Sequence, residues 1–273
     1  MFNYCFNDTI TAVKKRCSNG KMGKYPIFLF FIWVFLLVLP ANVYADLHTW
    51  DGDAAPDNNF STAANWVGDV APVADDDVIF NAGAVNCTLD AFDLDQGDFT
   101  VTAGYSGTFS SSGTFLCDAV TLDLTNAAWS ISNEFYTGRT DNGALTITAG
   151  TFTTSNVMQC NGNIALSGTG TINQSASYTA MIGSASKTIT NTGGGTITFH
   201  KFMESSDTNH GQADPHPDAK TTINADITVN NWCDINGWAV AGDGQLILAA
   251  NKTITVANSG FNNQGSFSAN SGS

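Results

Sequence analysis

Seven apolar residues recur in phase along this chain. Phe109, Trp129, Phe152, Ile172, Ile197, Ile227 and Ile254 each stand in a short strand just after a turn, at steps of 20, 23, 20, 25, 30 and 27 residues. The flanking pattern recurs with them. Leu145-Thr-Ile-Thr-Ala-Gly-Thr-Phe152 follows the plan of Leu122-Asp-Leu-Thr-Asn-Ala-Ala-Trp129, and Ile164 to Ile172 and Leu246 to Ile254 repeat it. Four residues after the anchor stands an Asn in four units: Asn133, Asn156, Asn231 and Asn258. One unit of this length cannot bury its own apolar face. Coiling the chain so that equivalent strands lie over one another, about 4.8 Å apart, pairs the backbones and stacks the inward side chains into one core.

The period-2 alternation of apolar residues runs throughout, with no helix-period segment after Ala45. The chain is therefore expected to be all-β: a right-handed parallel β-helix of seven or eight coils over 87–273, behind a small β cap over 46–86. An antiparallel sandwich also has short strands, but its turns need not return to one phase. The stacked Asn residues are expected to tolerate tight corners and to hydrogen-bond from coil to coil. The pattern is still running at Asn270–Ser273, so the helix is expected to be truncated at its C-terminus.

Two stretches carry a family likeness. Phe135-Tyr-Thr-Gly138 … Gly143-Ala-Leu-Thr-Ile-Thr-Ala-Gly150-Thr-Phe resembles the repeat of bacterial autotransporter-like and pectin-lyase-like β-helix surface proteins, and Met181-Ile-Gly183 … Ile189 is a shorter copy. Thr49-Trp50-Asp-Gly52 … Asn59-Phe60 … Asn65-Trp66 … Val78-Ile-Phe80 is similar to the module that opens such helices. The resemblance implies a fold and an extracellular setting, not an activity.

The first 45 residues fit export. Lys14, Lys15, Arg16, Lys21 and Lys24 precede an apolar run from Ile27 to Leu39, and Val43-Tyr44-Ala45 gives a small-x-small end. This order predicts a signal peptide, cleaved after Ala45, with Met22 a candidate true start. The rival is a transmembrane helix, but the run is short of the roughly 20 residues a bilayer needs. The expected location is secreted or cell surface, with membrane contact only through the signal segment if it stays uncleaved.

Beyond Ala45 there are five basic and 23 acidic residues, a formal charge of −18. Such a surface repels nucleic acid and acidic glycans. Four cysteines remain there, Cys87, Cys117, Cys160 and Cys233, too few and too widely spaced for a disulfide scaffold. They are expected to be small buried apolar side chains.

Candidate chemistry is sparse. Asp75 and Asp77, in the run Asp75-Asp76-Asp77, could offer oxygen ligands to Ca²⁺, although no D-x-D-x-D-G loop is present and a solvated turn accounts for them as well. The 30-residue unit holds His200, Glu204, Asp207, His210, Asp214, His216 and Asp218. Residues 200–220 are expected to leave the helix as an exposed loop, with His200, His210 and His216 as candidate ligands of a weak transition-metal site. Trp50, Trp66, Trp129, Trp232 and Trp238 could stack on sugars, Trp129 being expected in the core. No catalytic residue is assigned. Arg139 is the only Arg beyond Ala45, and paired carboxylates mean little in a chain so rich in Asp. The expected function is a non-enzymatic structural or adhesive solenoid that presents loops on a rigid rod, with glycans or other surface proteins as partners. The alternative is a carbohydrate-active enzyme, a polysaccharide lyase or glycoside hydrolase, or a glycan-binding module.

Overall fold

The structure is a computed structural model; it describes residues 45–90, 94, 97–111, 113–138, 143–183, 185–204, 220–235, 245–263 and 266–271. The basic and apolar N-terminal segment lies outside these residues. From Ala45 on, the chain forms one compact unit. Strands and turns make it up, with a single 3-10 turn at Ala63–Asn65 and no α-helix among the described residues. No helix there is long and apolar enough to cross a membrane.

Three parallel sheets of 10, 8 and 7 strands build a β-solenoid of about seven turns. From Phe99 to Asn263 each coil contributes one strand to each sheet in order, as Leu145–Ala149, Thr151–Thr154 and Met158–Cys160 do in the middle of the stack. Successive coils pair in register. Cys87, Phe109, Trp129, Phe152, Ile172, Ile197, Ile227 and Ile254 lie one over the next along the second sheet. All seven anchors thus form one column, which begins one coil earlier than expected, at Cys87. Every member from Cys87 to Ile227 is buried, and Ile254 packs against the same core. Fully burying one such side chain is worth about 1.5–3 kcal/mol, so the column is a main support of the stack.

The Asn residues do link coils, but not through one another. Asn156 Nδ2 donates to the Ser132 carbonyl (3.3 Å) and Asn258 Nδ2 to the Asn230 carbonyl (2.6 Å). Each amide reaches the backbone of the coil before it and satisfies a carbonyl at the corner. None of the four adopts a left-handed backbone. That conformation falls instead to residues such as Gly150 (φ 73°), where a Cβ would also collide with the Leu124 carbonyl.

Upstream, Leu47–Thr49 and Asp77–Phe80 supply the first two strands of the longest sheet. Between them, the rings of Trp50, Phe60 and Trp66 pack together, with centroids 4.8–5.2 Å apart, and Trp50 and Trp66 lie on Phe80. Trp66 donates its indole N–H to the Phe60 carbonyl (2.7 Å). These rings cover the N-terminal end of the core.

The corners explain the uneven period. From second to third sheet the chain turns through 112–114, 132–134, 155–157, 175–178, 200–201, 230–231 and 257–259. From third to first sheet it runs through 118–119, 138–144, 161–163, 182–186, 205–219 and 236–244. From Phe99 on, every connection of seven residues or more between described strands runs from third to first sheet, while first-to-second connections span one to six residues. At both ends of 200–220 the structure has corner and strand residues where a loop was expected. His200 and Lys201 are corner residues, Phe202–Glu204 is a strand paired with Thr179–Met181 and Trp232–Ile235, and the next strand starts at Lys220. Only 205–219 lies outside the described residues.

Candidate functional site

Two places bring chemistry together, one inside the solenoid and one on its surface. The inner one starts from the third sheet's inward column, in which Cys117, Thr137, Cys160, Met181, Glu204 and Ile235 lie in register. A glutamate therefore occupies a core position that neighbouring coils fill with sulfur or aliphatic side chains. Lys187 is 2 % exposed and opens a strand of the first sheet, with Thr221 and Leu246 stacked after it. Its ammonium donates to the carbonyls of Gly183 and Ala185, both at 2.9 Å. Glu204 is fully buried, and neither carboxylate oxygen has a hydrogen bond of good geometry.

The two groups tune one another. Burial pushes the Glu204 carboxyl up to about 7, against the Thr221 hydroxyl and the Lys187 charge, which favour ionisation. Burial likewise lowers Lys187 from the usual lysine range, opposed by the negative charge of Glu204. Both side chains are buried, Glu204 at 0 % and Lys187 at 2 % exposure. Sequence reading placed Glu204 in a surface lobe. The alternation Phe202-Met-Glu204, with Phe202 inward, was the signal that places it in the core.

The surface site lies on the outer face of the third sheet. Trp232, Asp234, Ser259, Gly260, Phe261 and Asn262 line an open groove of about 380 Å³. Trp232 pairs with Gly260, and Asp234 with Asn262, across two successive coils. Asn262 Nδ2 donates to Asp234 Oδ1 (3.2 Å), and Ser259 Oγ donates to Asn231 Oδ1 (2.5 Å). Asp234 is 4 % exposed, and burial raises its carboxyl above the usual range. Lys201, on the preceding coil, holds its ammonium 5.4 Å from the Trp232 ring centroid, a cation–π contact. The outward residues before Asp234 are also buried, with Gln159 7 %, Ala180 4 % and Met203 5 % exposed.

The residues singled out from sequence fall elsewhere. Asp75 sits in a left-handed turn (φ 74°) and its N–H donates to the Leu94 carbonyl. The middle residue of the run is the one turned inward. Asp76 accepts from the backbone of Asp46 and Val73 and lies 3.1 Å from His48 Nε2. Asp77 Oδ1 accepts from the Asp98 N–H on the next coil (2.9 Å), and Asp98 Oδ1 does the same for Ala119. These carboxylates tie strands together. His200 donates its backbone N–H to Gln174 Oε1 (3.3 Å) at a corner; His210 and His216 lie outside the described residues. Among the described residues no three His, Cys, Asp or Glu side chains gather as metal ligands. Trp50, Trp66 and Trp129 are core residues, and Trp238 lies outside the described residues.

Cys87, Cys117, Cys160 and Cys233 are free and buried, as small apolar fillers would be. Desolvation raises all four thiols, Cys160 and Cys233 to about 12. In a Cys5→Ser, Cys17→Ser protein, Ellman's reagent at pH 8 is expected to label no thiol in the native state and four in denaturant. Rapid native labelling of any one of them would contradict this packing.

Fold and register define the chain as a three-sheet parallel β-solenoid. Comparison with protein-family models, with curated proteins and with solved structures finds no match.

Proposed function

We propose that this protein is a non-enzymatic, secreted or cell-surface solenoid, a stiff rod that presents variable segments along one edge for adhesion or for building an extracellular layer. The observation that carries the reading is that, from Phe99 on, the longest connections fall at one corner, first-to-second connections spanning only one to six residues. Third-to-first connections range from 118–119 to 205–219, while second-to-third connections stay at two to four residues. In a stack held by in-register ladders, a corner that tolerates insertion is where a partner can be engaged without disturbing the core. The export-like N-terminus and the likeness to autotransporter-like and pectin-lyase-like surface proteins agree with that setting. The surface groove contains one carboxylate, Asp234; hydrolysis of a glycoside by paired carboxylates needs two.

Replacing 205–219 with the two residues that serve at 118–119 tests the reading. The shortened protein is expected to melt within a few degrees of the parent, because a corner already made in two residues elsewhere is being copied, and to lose attachment of expressing cells to a surface. Unchanged attachment, or detection of the protein only inside intact cells, would overturn the proposal.

A further inference from the structure

We infer that the groove on the outer face of the third sheet is a subsite for a neutral saccharide ring, an inference that rests on the surface-presentation reading and supplies its partner class. Three observations converge. The first is the treatment of Trp232. Lys201 lies on the coil before it, 5.4 Å from the indole centroid, and the coil after it places Gly260 opposite. A Cβ at Gly260 would meet nothing within 4 Å, so the space beside the indole is open, and a φ of 123° favours glycine there.

The second observation is the polar pair beside that space. Asp234 is nearly fully buried, and its Oδ1 is held by Asn262 Nδ2 at 3.2 Å. A carboxylate and an amide fixed side by side present adjoining acceptors and donors, which match two neighbouring hydroxyls of a sugar. The ring's C–H face suits the electron-rich face of an indole. Few polar groups converging beside an aromatic wall are the usual composition of a small-molecule site.

The third observation is charge. Asp234 and the formal charge of −18 beyond Ala45 oppose an acidic sugar. The Lys201 ammonium over Trp232 opposes a cationic ligand competing for the same ring. A neutral, hydroxyl-rich ring is what remains compatible with both.

The test is titration calorimetry of the full chain with four hexasaccharides: β-1,4-linked glucose, xylose and mannose, and α-1,4-linked galacturonic acid. At least one neutral hexasaccharide is expected to bind with Kd of about 0.1–1 mM, as befits an open groove that covers one or two rings. Trp232→Ala and Asn262→Leu are expected to weaken it at least tenfold, with melting temperatures close to the parent showing the coils intact. The galacturonate is expected to give no heat. The inference fails if none of the neutral sugars binds, if the acidic one binds as well as they do, or if the variants bind like the parent. A binding failure in vitro leaves the rod and its location standing, whereas a protein confined inside cells would remove the rod reading without changing these heats.

Discussion

Trp129→Ala is expected to cost about 3–5 kcal/mol, the range for truncating a large core aromatic. Trp129 is 3 % exposed and its ring lies within 5.0–6.4 Å of the rings of Phe99, Phe109, Phe115, Phe135 and Phe152. Those rings come from all three sheets and from coils on either side, so the cavity cannot be closed by one neighbour moving in. The loss would show as a lower urea midpoint. Trp129→Phe separates packing from polarity, because the indole Nε1 has no hydrogen-bond partner and phenylalanine deletes that orphan donor while keeping most of the ring. It should cost no more than about 1.5 kcal/mol. Equal losses for the two variants would mean that the column is not what holds these coils together.

Lys187→Met is expected to produce the largest pH-dependent loss. In the parent, burial raises Glu204 from 4.5 to about 7, so the folded state binds more protons than the unfolded state in that window. Stability therefore falls as pH rises from about 4.5 to about 7. Lys187 acts in the opposite sense. Its folded value lies below the ordinary 10.5, so the folded state binds fewer protons there and stability rises with pH as the unfolded lysine approaches 10.5. Removing Lys187 takes away the charge that favours ionised Glu204 and moves the carboxyl further up. The variant should lose about 1 kcal/mol more at pH 8 than at pH 5, because a carboxyl already near 7 rises past pH 8 and stays protonated, and one unit is worth about 1.4 kcal/mol. Lys187→Met with Glu204→Leu should recover that loss and flatten the pH profile. Thermal melts of the three proteins between pH 5 and 9 decide it. A profile for Lys187→Met parallel to that of the parent would show that the pair does not interact.

Most of the stack was legible because one signal, an apolar residue returning after each turn, is periodic in sequence and additive in space. Phe109 to Ile254 needed only a phase. Cys87 was missed as the column's first member because a thiol does not read as an anchor. Asp76 was passed over for Asp75 and Asp77, since a run of three acids does not reveal which one turns inward to the Asp46 and Val73 N–H groups. The groove was half legible. Trp232 stood out, but Gly260 and Asn262 lie 28 and 30 residues further on, and only the coil register makes them its neighbours.

By itself the sequence determined the repeat, its all-β character and the inward column, because alternation and phase are local properties that coiling merely sums. Tertiary structure alone decided where charge could be buried. Glu204 and Lys187 carry polar labels that predict exposure, yet strand alternation forces both into the core from different sheets. There each charge acts on the other across a separation in sequence that no local pattern encodes.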